Sequence, residues 1–288
     1  MEWLVTLTGA AMVLIILRDL FHTLWHPTRH GGLSRIVMTG LWRLLSPGRA
    51  VRGAAGLVGP LGMVGVVVMW AGGVAVGWAL VYWPHLPEGF AFSSALDPAA
   101  HSGPVDALYI SLVIVATLGL GDIAPAEGWL RVVAPLEALV GFALLTATVS
   151  WVLGIYPALA RRRALALRLR HLRRAGLTPQ RLDSDSGAAV LDGLAGEIAR
   201  VCVDFTQYPE SYYFHDGPGD ASLARAIGYA AELAEQAQGA QHAGMRLAGS
   251  VLGVALDDLA AVLDDRFLHT GADRRQILTA YAHDHGGH

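Results

Sequence analysis

The sequence predicts an all-α membrane protein with three transmembrane helices and a helical cytosolic domain. Of its 288 residues, 53% are hydrophobic and only 16% are charged, whereas soluble domains contain about 25% charged residues. The mean hydropathy is +0.43. Three stretches are also long and apolar enough to cross a bilayer, which takes about 20 apolar residues in a helix. These observations argue against a purely soluble enzyme.

The first predicted span is an N-terminal transmembrane helix over residues 1–27. It contains an apolar run from Trp3 to Leu17, followed by Arg18 and Asp19. A cleaved signal peptide would have a basic start and a small-residue cleavage site, which this segment lacks. We therefore expect a retained helix in which Arg18 reaches the headgroups and Asp19 pairs or does the same.

Two further spans occupy the middle of the chain. Residues 54–83 carry no charge and end in aromatic side chains of the kind found at membrane interfaces. The last span is predicted over residues 129–160. Its central part, from Val132 to Ile155, carries Glu137 as its only charged residue.

The distribution of arginine predicts the orientation in the membrane. Five arginines lie in the linker at residues 28–53 and eight more lie between 161 and 181, whereas the segment from Pro84 to Trp129 has none. Short loops rich in Lys and Arg stay on the cytoplasmic side of a membrane. We therefore expect a multi-pass protein of the cell membrane (inner or plasma), with its N-terminus outside, a cytosolic basic linker at 28–53 and a cytosolic C-terminus.

Between the last two spans, the chain becomes apolar again without being long enough to cross. Residues 105–115 read as a short helix, with Pro104 and Asp106 suited to its first turn. The glycine-punctuated stretch at 116–122 follows at once. Non-helical backbone at membrane depth must be buried in protein or line a water-filled path. A re-entrant helix followed by alternating glycines can present carbonyl oxygens to a cation.

The stretch from Thr117 to Asp122 resembles the filter of the potassium-channel pore-loop family. The family pattern is Thr-Val-Gly-Tyr-Gly-Asp, and here Leu118 replaces Val and Leu120 replaces Tyr. The chain as a whole resembles a bacterial two-transmembrane, pore-loop ion channel with an extra N-terminal helix. The resemblance implies an outer helix at 54–83, a pore helix at 105–116, a filter at 117–122 and an inner helix at 129–160, within a pore domain at 54–160.

The resemblance also implies roles for individual residues and a fourfold assembly. The ion-binding residues of the selectivity filter would be Thr117, Leu118, Gly119, Leu120 and Gly121. Gly141 lies where the family's inner helix often has its hinge. Because each chain supplies one pore loop and a closed filter needs four, the resemblance implies a homotetrameric pore-loop channel. Potassium ions in the filter would be its only cofactor.

Several alternatives stay open at this point. Leu120 lacks the hydroxyl that braces the family's filter, so the chain could be a non-selective or sodium-permeable cation channel, or a membrane sensor with a non-conducting pore loop. Asp122 could concentrate cations at the outer mouth, or bond to the pore helix, or do both. Glu137 could contact ions or pair behind the filter. Thr146, Ser150 and Leu153 are candidates for the cavity and gate, with ordinary packing as the alternative.

The cytosolic domain is predicted over residues 161–288. Its basic start, Arg161–Arg174, can attract anionic lipids or simply enforce orientation. The alanine-rich remainder is helical in pattern, and Leu191, Leu194, Ile198, Val201 and Phe205 recur as a packed face. We expect a flexible tail rather than a divalent-ion site at His283, Asp284, His285 and His288.

Other classes of function are disfavoured. A net charge of −3 gives no basic field for nucleic acid, and Cys202 alone cannot form an internal disulfide. The sequence shows neither a nucleophile–base set nor a cluster of metal ligands. We therefore expect no enzyme activity, no catalytic residue and no metal other than the pore ion.

Overall fold

The computed structural model describes residues 2–25, 32–45, 57–176, 183–216 and 222–285. The chain divides into two compact units. The first unit comprises Met1–Val37 and Met63–Val152, and the second comprises Met38–Gly62 and Leu153–His288.

Three helices are long and apolar enough to cross a membrane, which confirms the predicted spans by length and composition. They are α1 (Glu2–Trp25), α3 (Val58–Tyr82) and α5 (Gly128–Arg174). Helix α5 extends through the apolar segment and the basic stretch. Residues 26–27 and 54–56 of the predicted spans lie outside the described residues.

One helix was not revealed by the sequence. The basic linker predicted at 28–53 contains α2 (Gly32–Leu45). The buried Asp19 carboxylate on α1 accepts hydrogen bonds from the backbone N–H groups of Leu33 and Ser34, at 2.9 and 3.3 Å. It also accepts one from the Trp70 indole on α3, at 2.9 Å. Asp19 therefore pairs inside the protein, satisfies free donors in the first turn of α2 and ties three helices together.

Helices α1 and α3 approach each other closely through small residues. A Cβ atom added to Gly9 would lie 2.4 Å from the carbonyl oxygen of Gly77. Such contacts are typical of helix pairs in membranes, where close backbone approach replaces the hydrophobic driving force.

The segment between α3 and α5 forms a compact outer layer. It contains α4 (Pro104–Val115) and a two-stranded antiparallel sheet, in which β1 (Phe90–Phe92) pairs with β2 (Ile123–Pro125). Its buried apolar core includes Tyr82, Leu86, Phe90, Ala107, Ile110 and Leu130. The sheet holds the chain that leaves the 117–122 segment against the chain that leaves α3.

The second unit packs the end of α5 with four helices. These are α6 (Asp185–Gln207), α7 (Leu223–Gln238), α8 (Ala243–Leu263) and α9 (Arg274–Asp284). Helix α8 packs against both α6 and α7. The face of α6 predicted to pack is buried, at Leu191, Leu194, Ile198, Val201 and Phe205.

The prediction of a flexible His-rich tail is wrong for the residues that the structure describes. His283 and Asp284 belong to α9, and the Asp284 carboxylate accepts a hydrogen bond of 2.5 Å from the Tyr212 hydroxyl. The Nε2 atom of His285 lies 2.9 Å from the Tyr212 carbonyl oxygen. Burial lowers the pKa of His285 to about 4. This imidazole is therefore neutral at physiological pH and belongs to the core, while His288 lies outside the described residues.

Candidate functional site

Helix α4 delivers the glycine-punctuated segment. It starts after Gly103, with Pro104 in its first turn, and the Asp106 carboxylate accepts a hydrogen bond of 3.1 Å from the Gly103 N–H. At its other end, the N–H of Thr117 donates to the Ile114 carbonyl at 2.8 Å. The helix is 12 residues long, or roughly 18 Å, which is too short to cross an apolar layer of about 30 Å.

In the segment that follows α4, residues with positive φ alternate with residues without it. Thr117, Gly119 and Gly121 have φ angles of 56°, 57° and 78°, whereas Leu118 and Leu120 do not have positive φ. Glycine adopts this left-handed conformation without the cost that a Cβ imposes. Alternation of residues with and without positive φ can align successive peptide groups on one side, as it does for the N–H groups of a nest. The segment can therefore turn its oxygens toward one side.

The left-handed backbone of Thr117 is the feature of this series that sequence reasoning missed. A left-handed conformation is a genuine outlier for a β-branched residue and costs on the order of 1–3 kcal/mol unless the surroundings enforce it. Such outliers cluster at functional sites. Thr117 also brings a hydroxyl group to the inner end of the ladder of oxygens.

In a single chain, the glycine-punctuated segment is exposed. Residues 117–121 are all exposed, and the apolar side chains of Leu118 and Leu120 are 64% and 60% exposed. Irregular backbone next to the apolar layer requires protein around it or water beside it. The site is therefore incomplete in one copy of the chain.

Asp122 is fixed at the outer end of the segment. Its carboxylate accepts a hydrogen bond of 2.5 Å from the Tyr109 hydroxyl on α4, and its carbonyl accepts one of 2.8 Å from the Ser93 N–H. The Tyr109 hydrogen bond holds the pKa of this carboxyl below its ordinary value. Asp122 therefore bonds to α4, the helix predicted to be the pore helix, and its role at the outer mouth stays a prediction. The Tyr109 hydroxyl on α4 therefore braces the segment from outside it. Leu120, within the segment, has no hydroxyl that could do so.

Glu137 lies behind the segment and faces the protein interior. Its side chain is fully buried and accepts hydrogen bonds from the Tyr82 hydroxyl at 2.6 Å and the Ser111 hydroxyl at 2.5 Å. Because Tyr82, Ser111 and Glu137 belong to α3, α4 and α5, one carboxyl group joins all three helices. Glu137 thus pairs behind the segment, as one of its two interpretations expected.

A comparison with protein-family models matches this region. Residues 66–155, which include α4, the glycine-punctuated segment and most of the apolar part of α5, match a family model described as ion channel. This region is therefore similar to an ion-channel domain. The description agrees with the pore-loop resemblance found in the sequence, and the three apolar helices support a multi-pass location in a membrane.

A comparison with curated proteins finds one relative of the same general kind. The chain is 29% identical over 150 residues to the uncharacterized membrane protein YdjJ of Bacillus subtilis (strain 168). The alignment covers 51% of this chain and 42% of the relative, so the chain spans less than half the length of that protein. No solved structure matches the chain significantly.

Within the matched region, Gly141 lies at a close contact. A Cβ atom added at this position would lie 1.9 Å from the carbonyl oxygen of Val115, at the end of α4. Helix α5 runs without a break past Gly141. Close approach of α4 therefore explains the glycine here, and its role as a hinge stays a prediction.

The predicted cavity and gate residues lie on one exposed face of α5. Thr146, Ser150 and Leu153 are exposed in the single chain, and Leu153 is 68% exposed. The apolar residues Phe142, Leu145 and Val149 share this exposure. These side chains are exposed within the part of the chain that the structure describes, so the face is available to line a path or to contact another copy.

The Glu137 cluster yields a stability prediction. Glu137→Ala removes the acceptor of two buried hydroxyl groups, and a buried polar group left unsatisfied costs about 1–3 kcal/mol. We expect the variant to lower the thermal unfolding midpoint of the detergent-purified protein by about 4 °C or more. Glu127→Ala is the matched control, because the Glu127 carboxylate is exposed and accepts only from the Trp129 indole. Equal midpoints for wild type and Glu137→Ala would contradict the bracing role.

Proposed function

We propose that the protein is a passive cation channel that conducts potassium through a filter formed by residues 117–121 of four chains. The observation that carries the proposal is the alternation of left-handed backbone at Thr117, Gly119 and Gly121, in an exposed segment at the end of a short apolar helix. Four such segments around one axis would surround an ion with backbone oxygens in place of its water. The ions move passively, and no covalent chemistry is asked of the chain.

The uncovered surfaces support a homotetramer. Leu118 and Leu120 would pack against neighbouring copies, which one chain cannot provide. The exposed face of α5 would line the central cavity, with Thr146 and Ser150 offering hydroxyl groups to a hydrated ion and Leu153 narrowing the inner end.

Charge on the outer side favours cations over anions. Asp122 keeps its negative charge to lower pH than an ordinary aspartate, because Tyr109 donates to it. Four copies would form an acidic ring at the entry, and such rings attract cations. The arginine-free segment 84–129 is proposed to face outward, with the N-terminus outside and the C-terminus in the cytosol.

A specific observation favours one rival function. Leu120 stands where a braced filter has a hydroxyl, and its side chain is exposed in the single chain. A filter with fewer tethers adapts to ions of different size, which would give a non-selective or sodium-permeable channel on the same scaffold.

Flux and mass measured on one sample test the proposal. The purified protein is reconstituted in liposomes, thallium flux and the reversal potential in a potassium–sodium gradient are recorded, and the assembly is weighed by native mass spectrometry. We expect four times the 30.5 kDa chain mass and a reversal potential near that of potassium. A reversal potential near zero would favour the non-selective channel. Absence of flux at every pH would point to a sensor, and a stable monomer or dimer would overturn the assembly.

The Tyr109–Asp122 hydrogen bond predicts the pH dependence of the flux. In Tyr109→Phe the pKa of Asp122 rises toward its ordinary value, so the acidic ring loses its charge at a higher pH than in wild type. We expect acid inhibition of the flux to begin at higher pH in Tyr109→Phe, and the measurement is flux against outer pH. Asp122→Asn is the control, since adding Tyr109→Phe to it should move nothing further. An unshifted acid limb in Tyr109→Phe would contradict the assignment.

A further inference from the structure

A small cavity in the second unit is lined by arginine side chains. It lies between the end of α5 and the first turns of α7 and has a volume of about 180 Å³. Its charged and aromatic lining consists of Arg170, Arg173, Arg174, Arg225 and Tyr229, and two small or aliphatic residues complete it. No acidic residue is among the described residues that line the cavity.

The arginines of α5 divide into two groups by their partners. Those nearer the membrane span pair with acids of the second unit: Arg161 with Asp204 at 2.6 Å, Arg162 with Asp216 at 2.6 Å and Arg168 with Glu197 at 2.5 Å. Arg170, Arg173 and Arg174 have no acidic partner within the part of the chain that the structure describes. Arg170, Arg173 and Arg174 therefore bring to the cavity positive charge that no described acid neutralises.

Arg170 is the partly buried arginine of the cavity, whereas Arg173, Arg174 and Arg225 are exposed. The Nε atom of Arg170 is buried and has no hydrogen-bond partner among the described residues, which is costly unless a ligand supplies one. The Arg173 guanidinium lies 5.9 Å from the centre of the Tyr229 ring, over its face. Such a contact orients the guanidinium plane.

Helix electrostatics alone does not account for the cluster. Basic residues in the last turn of a helix stabilise its negative end, and this explains Arg173 and Arg174 at the end of α5. Arg225 lies instead in the first turn of α7, where the helix dipole is positive and a cation is unfavourable. An anion between the two helices would stabilise the start of α7.

We propose that this cavity binds the phosphate group of an anionic ligand. Arginine forms bidentate hydrogen bonds to phosphate, and its planar fork makes it the preferred residue for such recognition. The volume equals roughly six water molecules at their liquid density, which suits a phosphate or pyrophosphate group. The proposal does not depend on conduction by the pore domain.

Position along α5 favours a soluble phosphate over a lipid headgroup. Arg161 is the first charged residue after the apolar part of α5, and Arg170 lies nine residues further on, or roughly 14 Å along the helix. The headgroup layer on one side of a bilayer is only about 5–8 Å thick. Anionic lipids therefore suit the membrane-proximal part of Arg161–Arg174, and the cavity suits a phosphate dissolved in the cytosol.

Calorimetry on the full-length protein in non-ionic detergent tests the site, with inorganic pyrophosphate as the probe. Wild type should bind one pyrophosphate per chain. Arg170→Gln and Arg225→Gln should each weaken binding by about tenfold or more, as expected for the loss of a charge-assisted hydrogen bond. Arg173→Gln is a third variant in case one of the others fails to fold. Arg200→Gln is the matched control, because Arg200 is exposed on α6. The substitution removes the same charge at a position outside the cavity.

A second arm identifies the source of the phosphate. The same proteins are placed in phosphatidylcholine nanodiscs with or without phosphatidylglycerol, and retained lipid is counted by native mass spectrometry. Loss of pyrophosphate binding in the cavity variants supports the site and a soluble ligand. Loss of retained phosphatidylglycerol without any pyrophosphate binding supports the site with a lipid headgroup. Cavity variants that match wild type in both arms, or an equal loss in Arg200→Gln, would overturn the proposal.

Discussion

Gly119→Ala and Gly121→Ala are each expected to abolish ion flux while leaving the protein folded and assembled. No described atom lies within 4 Å of a Cβ added at either position, so the substitution creates no clash within the chain. Its effect comes from the φ angles of 57° and 78°, since left-handed backbone costs a residue with a Cβ about 1–2 kcal/mol. In a tetramer, each of the four chains would carry this conformational cost. The backbone relieves it by rotating a peptide group, which turns an oxygen away from the ion.

The measurement is thallium flux in liposomes, with assembly mass and thermal midpoint recorded on the same samples. Gly176→Ala is a closely matched control. Gly176 has a φ of 61° with open space around it, and it follows the end of α5 outside the pore domain. It carries the same backbone strain without touching the filter, so its flux should stay near that of wild type. Wild-type flux in either filter variant would contradict the filter assignment.

Local sequence was sufficient for the elements whose signal is continuous. The three apolar helices, the short helix before the glycines and the packed face of α6 each depend on composition or on a short period along the chain. Two elements, α2 and β1, were not predicted, because the residues that stabilise them are distant along the chain. Helix α2 depends on Asp19, which lies 14 residues before Leu33, and strand β1 pairs with β2 about thirty residues later.

The same distinction holds within the site. Glycines at alternate positions predict left-handed backbone by their own chemistry, but Thr117 shares that backbone only because the surrounding fold enforces it. The Tyr109–Asp122 bond spans 13 residues and the Tyr82–Glu137 bond spans 55. Neither separation fits a single helix or hairpin. A lone acid in an apolar span did signal that Glu137 must have polar partners, but the sequence could not say which.

At the His-rich C-terminal tail, local composition gave a wrong prediction. Histidine, aspartate and glycine near a chain end are typical of solvated tails. His285 nevertheless lies in the core, because the aromatic residues Trp42, Tyr212 and Tyr281 surround its ring with centroid distances of 4.6–5.3 Å. These residues come from three separate parts of the chain. Only the tertiary fold brings them together.

Gly141→Ala is expected to abolish flux and also to lower the stability of the protein. The added methyl group would lie 1.9 Å from the Val115 carbonyl oxygen, and contacts under 3.0 Å are essentially never observed for Cβ atoms. Either α4 or α5 must move by about 1 Å, and overpacking of this kind costs about 1–3 kcal/mol per copy. Val115 precedes Thr117 by two residues. The displacement therefore reaches the inner end of the filter directly.

Thermal stability separates this explanation from a hinge. If Gly141 served only to let α5 bend, alanine would stiffen the helix and raise stability, because alanine is favoured over glycine in helices by about 1 kcal/mol. The close contact with Val115 predicts the opposite sign. Gly128→Ala is the control, since Gly128 begins the same helix with no described atom within 4 Å of an added Cβ. A thermal midpoint for Gly141→Ala equal to or above that of wild type, with flux lost, would establish the hinge and refute the steric account.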